Sequence, residues 1–348
     1  MELTKLNISG YEQVVQATDK DSGLVAIISV HNTNLGPAVG GTRLYPYVSE
    51  KDALTDVLRL SKGMTYKSAL AGINFGGGKS VIVADPANKT PDMLKAFGKF
   101  VDTFGGQYYC AEDVNTSTAD MNIIHGVTKN VLGLEDAGGD PSPHTALGVV
   151  TCIRVTAQKL GIKLSDLRVA IQGIGQVGAD MTRLLRKDGA TVYVADLRRH
   201  VVEALCEETG AIAVDAGKIV TQECDIFAPC AMGAILNDDT IPTLNCKAVV
   251  GAANNQLADM KHGDMLKDKG ILYAPDYLVN AGGIINVFFE HQPEGYNAEK
   301  ARAKVLAIGD TLLEIYKIAE KQDISPAIAA DKLAEERFLK GQSQSQAS

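Results

Sequence analysis

Apolar and polar positions in the first third of the chain alternate between two patterns. Leu24–Val30 is a continuous β-branched run, which is typical of a buried strand, whereas the apolar residues of Glu50–Ser61 recur with helical spacing. Thr90-Pro91 supplies favourable first residues for a further helix. The pattern therefore predicts, in order, a strand at Leu24–Val30, a helix at Glu50–Ser61, a strand at Ser80–Ala84, a helix from Thr90-Pro91 to Gly105-Gly106 and a strand at Gln107–Ala111.

The second part of the chain follows a segment rich in Gly, Pro and Asp. This segment, Glu135–His144, has almost no apolar residue, and it is the best candidate for a linker. Apolar strands and amphipathic helices alternate again after it. We predict helices at Thr145–Leu160, Gln176–Lys187, Ala298–Lys321 and Pro326–Leu339, strands at Arg168–Gln172, Thr191–Ala195, Asp225–Ala228, Ala248–Gly251 and Ile271–Ala274, and a disordered tail at Gly341–Ser348.

This order of elements indicates an α/β protein of two domains. The first domain is predicted at 1–137 and the second at 145–325, where the βαβ pattern indicates a parallel sheet of the Rossmann type. A C-terminal helix at 326–340 is expected to pack back near the junction. Such a division predicts a cleft between the two domains, as is common for ligand sites.

Composition narrows the classes of function. The 348 residues suffice for about two domains with cores of their own. A net charge of −8 argues against nucleic acid, and no apolar run approaches the length of a membrane span. The N-terminus lacks the pattern of a signal peptide, which predicts a cytoplasmic protein. The six cysteines are scattered without metal-ligand spacing, so we expect reduced cysteines and no bound metal.

Glycine is over-represented, and one cluster has the spacing of a dinucleotide-binding turn. Gly173-Ile-Gly175-Gln-Val-Gly178 directly follows a predicted strand and opens a helix. The glycines permit a tight turn, close approach of a pyrophosphate and close packing of helix on strand. Asp196 ends the next strand, where a carboxylate accepts the ribose hydroxyls and repels a 2′-phosphate. NAD is thus favoured over NADP, although Arg198 and Arg199 offer positive charge to a phosphate.

A second glycine cluster, Gly76-Gly-Gly-Lys79, resembles a P-loop only superficially. The P-loop pattern requires glycine six residues before the lysine, and that position is Ile73. NTP hydrolysis is therefore a poor alternative. Lys67 lies about a dozen residues earlier, and two lysines that converge on one cleft could have two different roles. One would bind a carboxylate, and its charge would lower the pKa of the other towards the range of a general base.

A third polar group follows the strand that ends near Ala111. Asp113 lies where ligand clefts of α/β proteins open, so its carboxylate could accept and relay a proton beside a lysine base. Alternatively, Asp113 or Asn115 simply caps the helix that starts near Thr118. The residues alone leave both interpretations open.

With these blocks in order, the chain resembles the amino-acid dehydrogenase family that includes the glutamate, leucine, valine and phenylalanine dehydrogenases. The resemblance covers nearly the whole sequence. The blocks that carry it are Leu35–Arg43, Gly63–Lys67, Gly76–Lys79, Glu112–Val114, Gly173–Gly178, Ala228–Ala231, Gly251–Asn255, Tyr273–Tyr277 and Asn280–Gly283.

The resemblance implies the reversible oxidative deamination of an L-amino acid by NAD and water. It implies an N-terminal substrate-binding and oligomerisation domain, with Lys79 as catalytic base, Asp113 as its proton-transfer partner, and Lys67 and Gly40 at the substrate. Asn254 would touch the substrate or the nicotinamide. The implied cofactor site consists of Thr145, Gly173, Ile174, Gly175, Gln176, Val177, Gly178, Asp196, Cys230, Ala231, Ala253, Asn254 and Asn255.

The resemblance also suggests which side chains select the substrate. The positions are Val39, Ala111, Ile284 and Val287, and all four are aliphatic, which favours an apolar amino acid over glutamate. Leucine and the other branched-chain amino acids are preferred, with phenylalanine as the alternative. A catalytically silent NAD-binding regulator is the alternative outside the enzymes. Members of the family assemble through the N-terminal domain, so we expect a homo-oligomer, an octamer or a dimer.

Overall fold

The computed structural model describes residues 1–134 and 139–345, and the chain divides into two compact units. The first unit comprises Met1–Gly139, Val287–Ala298 and the chain from Ala334 onward, and the second comprises Asp140–Asn286 and Glu299–Leu333. The predicted linker begins with Glu135–Gly138, which lies outside the described residues. The roles predicted for the two domains stay predictions.

Residues 287–298, which lie inside the predicted second domain, group with the first unit. Aromatic contacts explain this. The Phe288 ring packs edge-to-face on Phe75 with a centroid distance of 5.1 Å, and His291 packs on Tyr109 at 4.7 Å. The C-terminal helix likewise returns to the first unit, since Arg337 donates a hydrogen bond to the carbonyl of Leu70 at 2.9 Å. The first unit is therefore discontinuous in sequence, because side-chain packing joins segments that are far apart in the chain.

The first unit contains a mixed sheet of six strands within the described residues. The strand order is β1-β2-β3-β5-β4-β6. Pairs from β1 to β5 in this order are antiparallel, while β4 pairs parallel with both β5 and β6. The elements are β1 (Glu2–Leu6), β2 (Gln13–Asp19), β3 (Leu24–Asn32), β4 (Ala38–Tyr45), α1 (Glu50–Ala71), β5 (Gly76–Val83), α2 (Pro91–Asp102), β6 (Tyr108–Glu112) and α3 (Thr118–His125).

Local chemistry explains where the helices of this unit begin. Ser49 caps α1 by accepting a hydrogen bond from the Asp52 amide, and Gly72 ends that helix in the left-handed conformation. Thr90 caps α2 through the Met93 amide, with Pro91 as the first helical residue, which confirms the predicted start. Apolar side chains of α2 and α3 then pack on β3 and β6 in one buried cluster.

The strand predicted at Ser80–Ala84 starts earlier than expected, because Gly76–Lys79 already belongs to strand β5, which runs to Val83. These glycines serve close packing of neighbouring elements. A Cβ atom on Gly77 would lie 2.0 Å from Thr65 Oγ1 of α1, and one on Gly78 would lie 2.7 Å from the Tyr108 ring of β6. Helix and strand can approach so closely only where no side chain intervenes.

The second unit contains a parallel sheet of six strands within the described residues, which confirms the prediction. The order is β12-β11-β10-β7-β8-β9. The elements from Ser142 are α4 (Ser142–Lys159), β7 (Arg168–Gln172), α5 (Gln176–Lys187), β8 (Thr191–Ala195), α6 (Arg199–Thr209), β9 (Ile212–Ala213), β10 (Ile226–Pro229), β11 (Ala248–Val249), α7 (Lys261–Asp268), β12 (Leu272–Tyr273), α8 (Asp276–Val279), α9 (Gly282–Glu290), α10 (Ala298–Leu306), α11 (Ile308–Gln322) and α12 (Pro326–Ser345).

Two predictions about the C-terminal part are wrong. The helix predicted at Ala298–Lys321 is divided at Ala307 into α10 and α11. The tail predicted as disordered continues α12 as helix to Ser345, because helical hydrogen bonding propagates from a docked helix into polar residues at low cost. Residues 346–348 lie outside the described residues. Across 1–134 and 139–345, we find no helix long and apolar enough to cross a membrane.

Candidate active site

Three strands of the first unit bring the predicted catalytic residues together. Lys79 lies on β5, Asp113 follows the end of β6, and β4 runs between these two strands. The three strands are mutually parallel, so equivalent positions meet at one edge of the sheet. Residues that are 34 positions apart in sequence are thereby placed in contact across a single intervening strand.

Lys79 and Asp113 form a partly buried ion pair. The Lys79 Nζ atom lies 3.2 Å from Asp113 Oδ2, and only 7% of the lysine side chain is exposed. Gly41 on the intervening strand makes this contact sterically possible. A Cβ atom on Gly41 would lie 2.7 Å from the Asp113 Cβ atom and 3.1 Å from Lys79 Nζ. Glycine is thus required at position 41, where the Lys79 side chain crosses β4 to reach the Asp113 carboxylate.

Arg43 is the second cation at Asp113. Its Nε atom donates to Asp113 Oδ2 at 3.0 Å, and its Nη1 atom donates to Asp56 Oδ2 at 2.8 Å. The Tyr47 hydroxyl donates to the same Asp56 oxygen at 2.7 Å. The site therefore holds a connected row of charges, from Lys79 through Asp113 and Arg43 to Asp56.

These contacts shift the pKa values of the central pair. Burial lowers the pKa of Lys79 below its usual value, Asp113 opposes this effect, and the charge of Arg43 adds to it. Burial raises the pKa of Asp113, but the charges of Lys79 and Arg43 outweigh it, and the net pKa lies below its usual value. Arg43, to which the sequence argument assigned no role, is thus a cation that lowers the pKa of Lys79.

The alternative in which Asp113 or Asn115 caps a helix is wrong. Helix α3 is capped by Ser117, whose hydroxyl accepts from the Asp120 amide while the Asp120 carboxylate accepts from the Ser117 amide. Asn115 adopts a positive φ of 60° and donates its side-chain amide to the Leu44 carbonyl. The Asp113 carboxylate is therefore available to the two cations.

The other residues predicted for the substrate occupy the same unit or the second one. Lys67 lies half-buried on α1, and Val39 is buried on β4. Ala111 on β6 pairs with Gly41 of β4, so it lies beside the place where the Lys79 side chain crosses β4. The remaining two are on α9, with Val287 in the first unit and Ile284, like Asn254, in the second.

The dinucleotide turn of the second unit has the geometry that its spacing predicts. Gly173 directly follows β7 and has a positive φ of 91°, and Gly175 precedes the first residue of α5. A Cβ atom on Gly178 would lie 2.1 Å from the Gly173 carbonyl oxygen, so helix and strand pack as only glycine permits. A Cβ atom on Gly175 would meet nothing within 4 Å, which leaves space beside the amino end of α5. A pyrophosphate fits such a cradle.

Asp196 closes this turn from the next strand. Its Oδ2 atom accepts from the Ile174 amide at 3.0 Å, and Arg198 contacts both carboxylate oxygens, at 2.9 Å and 3.1 Å. The Arg198 contact and the backbone hydrogen bonds hold the pKa of Asp196 well below its usual range. The carboxylate is therefore ionised and able to accept ribose hydroxyls, although Arg198 must then share it.

Two further predicted cofactor residues, Cys230 and Ala231, directly follow the carboxyl end of β10. In the sheet β7 lies between β8 and β10. The chain adds β8 and β9 on one side of β7 and β10 to β12 on the other, and α/β proteins bind nucleotides where the strand order reverses in this way. The Cys230 amide donates to the Gln172 carbonyl at 2.7 Å, and the Ala231 Cβ atom would lie 2.6 Å from a Cβ atom on Gly173. Of the other predicted residues, Thr145 lies in the first turn of α4, Gln176 and Val177 open α5, and Ala253, Asn254 and Asn255 come after β11.

Sequence reasoning missed three residues of these sites. Arg43 and Asp56 were overlooked because a charged residue on a strand or helix surface is usually solvated, and only folding reveals a shared acceptor. Asn280 belongs to one of the blocks that carry the family resemblance, but no role was predicted for it. Its side-chain amide donates to Asn254 Oδ1 at 2.7 Å and to the Ala252 carbonyl at 3.1 Å, which orients Asn254.

Comparison with known proteins agrees with this geometry. Residues 11–130 match the family model "Glu/Leu/Phe/Val dehydrogenase, dimerisation domain", and residues 140–204 and 193–341 match "Glutamate/Leucine/Phenylalanine/Valine dehydrogenase". The chain is 48% identical to leucine dehydrogenase of Geobacillus stearothermophilus over 97% of its own length and 94% of the relative's. It is 45% identical to phenylalanine dehydrogenase of Bacillus thermotolerans, with coverage of 95% and 89%.

A solved structure extends the comparison to the fold. The crystal structure of L-tryptophan dehydrogenase from Nostoc punctiforme matches with a TM-score of 0.86 and 44% identity, over 95% of this chain and 97% of that one. The matched segments contain both the Lys79–Asp113 pair and the dinucleotide turn. The chain belongs to the glutamate/leucine/phenylalanine/valine dehydrogenase family and is an amino-acid dehydrogenase, a dinucleotide-dependent oxidoreductase.

Proposed function

We propose that this protein catalyses the NAD-dependent, reversible oxidative deamination of a branched-chain L-amino acid. The products are the 2-oxo acid, ammonia and NADH. The observation that carries the proposal is the buried Lys79 amine, whose pKa is lowered and which contacts Asp113. A general base must lose its proton near the operating pH, and burial beside a second cation has that effect. The similarity to leucine dehydrogenases supports the choice of substrate.

In the proposed mechanism Lys67 binds the substrate carboxylate, and Gly40 lines the substrate site with its backbone. A dinucleotide held by the second unit would supply the oxidising chemistry, as the acceptor of the hydride from Cα. Lys79 takes a proton from the water that attacks the resulting iminium carbon. Asp113 accepts hydrogen bonds from the protonated lysine and helps move protons to the departing ammonia. The short contact between Lys79 and Asp113 supports this division of roles.

The cofactor is proposed to bind along the turn of the second unit. Gly173 to Gly178 would hold the pyrophosphate at the amino end of α5, and Asp196 would accept the ribose hydroxyls. Cys230, Ala231, Ala253 and Asn255 would line the nicotinamide end, with Thr145 and Asn254 beside them. The space next to Gly175 and the ionised Asp196 carboxylate support this assignment.

The substrate side chain is proposed to meet the aliphatic residues Val39, Ala111, Ile284 and Val287. Initial rates with NAD and L-leucine, L-valine, L-isoleucine, L-phenylalanine and L-tryptophan test this. We expect kcat/KM for the best branched-chain substrate to exceed that for either aromatic by about tenfold or more. A higher value for L-phenylalanine would favour the alternative of a phenylalanine dehydrogenase. No turnover of any of them would refute the proposal.

We expect Asp196 to determine the cofactor preference. The wild type should use NAD better than NADP, because the Asp196 carboxylate repels a 2′-phosphate. In Asp196→Ala the ratio of kcat/KM for NAD to that for NADP should fall by about tenfold or more, since Arg198 is freed to meet a phosphate. The control Glu208→Ala also removes a carboxylate paired with an arginine of this unit, and it should leave the ratio unchanged. An unaltered ratio in Asp196→Ala would contradict the assignment.

The non-enzymatic alternative is a silent regulator that binds NAD. Such a protein has no need for a lysine buried beside two charged partners, since an uncompensated buried charge is costly. The retained Lys79, Asp113 and Arg43 network therefore favours the enzyme.

Assembly and location complete the proposal. The family model matched by residues 11–130 is described as a dimerisation domain, which supports a homo-oligomer built through the first unit. The octamer and the dimer both stay predictions, as does the cytoplasmic location.

A further inference from the structure

The contacts of one guanidinium group, that of Arg43, go beyond the roles proposed above. Arg43 ends the sequence block that begins at Leu35, and its side chain is partly buried. It bridges two carboxylates, with Nε on Asp113 at 3.0 Å and Nη1 on Asp56 at 2.8 Å. A guanidinium presents its donors in a rigid fork, so this bridge fixes the direction from which it meets Asp113.

Arg43 shares its acceptor atom with the proposed catalytic base. Both Arg43 Nε and Lys79 Nζ contact Oδ2 of Asp113, at 3.0 Å and 3.2 Å. The exposed fractions of the side chains are 22% for Arg43, 24% for Asp113 and 7% for Lys79, so water screens these charges poorly. Two cations on one oxygen repel each other, and the lysine is the one that can lose its proton.

We propose that Arg43 is a positioning residue, which holds the Asp113 carboxylate against Lys79 and favours the neutral form of that amine. This inference rests on the proposed role of Lys79 as general base. Asp56 acts in the opposite sense, because it partly neutralises Arg43. The hydroxyl of Tyr47 and, at 3.4 Å, the guanidinium of Arg59 hold Asp56 in turn.

The neighbouring charges agree with this assignment. The charge of Arg43 lowers the pKa of Lys79, and that of Asp56 raises it. Removal of Arg43 should therefore raise the pKa of the lysine, and removal of the Asp56 charge should lower it. The titratable and charged groups on the surrounding elements include Arg43 and Tyr47 from β4 and its following turn, Asp56, Arg59 and Lys67 on α1, Lys79 on β5, Tyr108, Cys110 and Glu112 on β6, and Asp113 directly after β6.

The test compares Arg43→Ala, Arg43→Lys and Asp56→Asn by the pH dependence of kcat/KM for oxidation of L-leucine. The rising limb of that profile reports the pKa of the base in the free enzyme. We expect its midpoint to move up by about one pH unit or more in Arg43→Ala and down in Asp56→Asn. Arg43→Lys retains the charge and should keep a midpoint close to that of the wild type. Its kcat should fall severalfold, because an ammonium group cannot span both carboxylates.

A second measurement does not depend on turnover. Competitive labelling of Lys79 with acetic anhydride, followed by mass spectrometry across pH, reports the protonation of its amine directly. The same opposite shifts of the labelling midpoint are expected in Arg43→Ala and Asp56→Asn. If the wild type oxidises no amino acid, the proposed function fails, and labelling still decides the role of Arg43.

Arg183→Ala is the matched control. Arg183 also bridges two carboxylates, Glu208 and Asp180, but it lies in the second unit. Its removal should leave the pH midpoint of Lys79 unchanged. Equal midpoints in Arg43→Ala and the wild type would overturn the proposal, and so would shifts in the same direction in Arg43→Ala and Asp56→Asn, since these indicate general loosening. If Arg43→Ala fails to fold, the sign of the shift in Asp56→Asn decides.

Discussion

Replacement of Lys79 by alanine should lower kcat for oxidative deamination by about 10²- to 10⁴-fold, which is the usual contribution of a positioned general base. The variant should still fold, because Asp113 keeps its ion pair with Arg43. It should also still bind NAD, since the dinucleotide turn belongs to the second unit. Steady-state kinetics with L-leucine, together with calorimetric titration of NAD, measure both effects. This combination separates loss of the base from loss of the fold.

A small amine should partly restore the activity of Lys79→Ala. The substitution leaves a space beside Asp113 that a primary amine such as methylamine can enter, and the restored rate should rise with the concentration of its unprotonated form. The matched control is Lys95→Ala, which removes an exposed lysine of the same unit that pairs with Asp92, and it should change kcat by no more than about twofold. Activity near that of the wild type in Lys79→Ala would show that the base is another group.

Gly40→Ala should lower the free energy of unfolding by about 3 kcal/mol or more. The new Cβ atom would lie 1.8 Å from the carbonyl oxygen of Gly78 and 2.5 Å from its carbonyl carbon. Both are backbone atoms of the paired strand β5, which cannot move without breaking the ladder that positions Lys79. Urea unfolding followed by circular dichroism measures the change.

Gly63→Ala is the control for that measurement. Gly63 is exposed on helix α1, and a Cβ atom there would meet nothing within 4 Å. Alanine should stabilise the helix by about 1 kcal/mol, because it loses less conformational entropy than glycine does. A loss of less than about 1 kcal/mol in Gly40→Ala would contradict the proposed close packing of β4 on β5.

Local signals were enough to locate the dinucleotide turn. The bounds of β7, α5 and β8 agree with those predicted from the sequence. This agreement has a physical cause: a strand, a glycine turn and a helix are specified by residues close together in the chain. The sequence pattern did not predict strands β1, β2 and β4. Strand β1 is largely exposed, and β4 contains the glycine pair Gly40-Gly41.

The glycines before Lys79 illustrate the opposite case. In sequence, three successive glycines are typical of a turn. In the structure they are the first residues of the packed strand β5, and glycine is required there because Thr65 and Tyr108 approach them from α1 and β6. Neither neighbour is close in sequence, so the requirement for glycine arises from tertiary contacts alone.

Local sequence patterns were enough to predict the α/β class, the parallel sheet of the second unit, the dinucleotide turn and the pair of candidate residues Lys79 and Asp113. Each of these depends on local pattern or on residue type at fixed spacing. Contacts between distant parts of the chain were needed to show that Asp113 contacts Lys79 instead of capping α3, and that Arg43 and Asp56 continue the row of charges. The reason is that the pKa of a buried amine depends on charges within a few ångströms, and the order of strands in a sheet decides which charges those are.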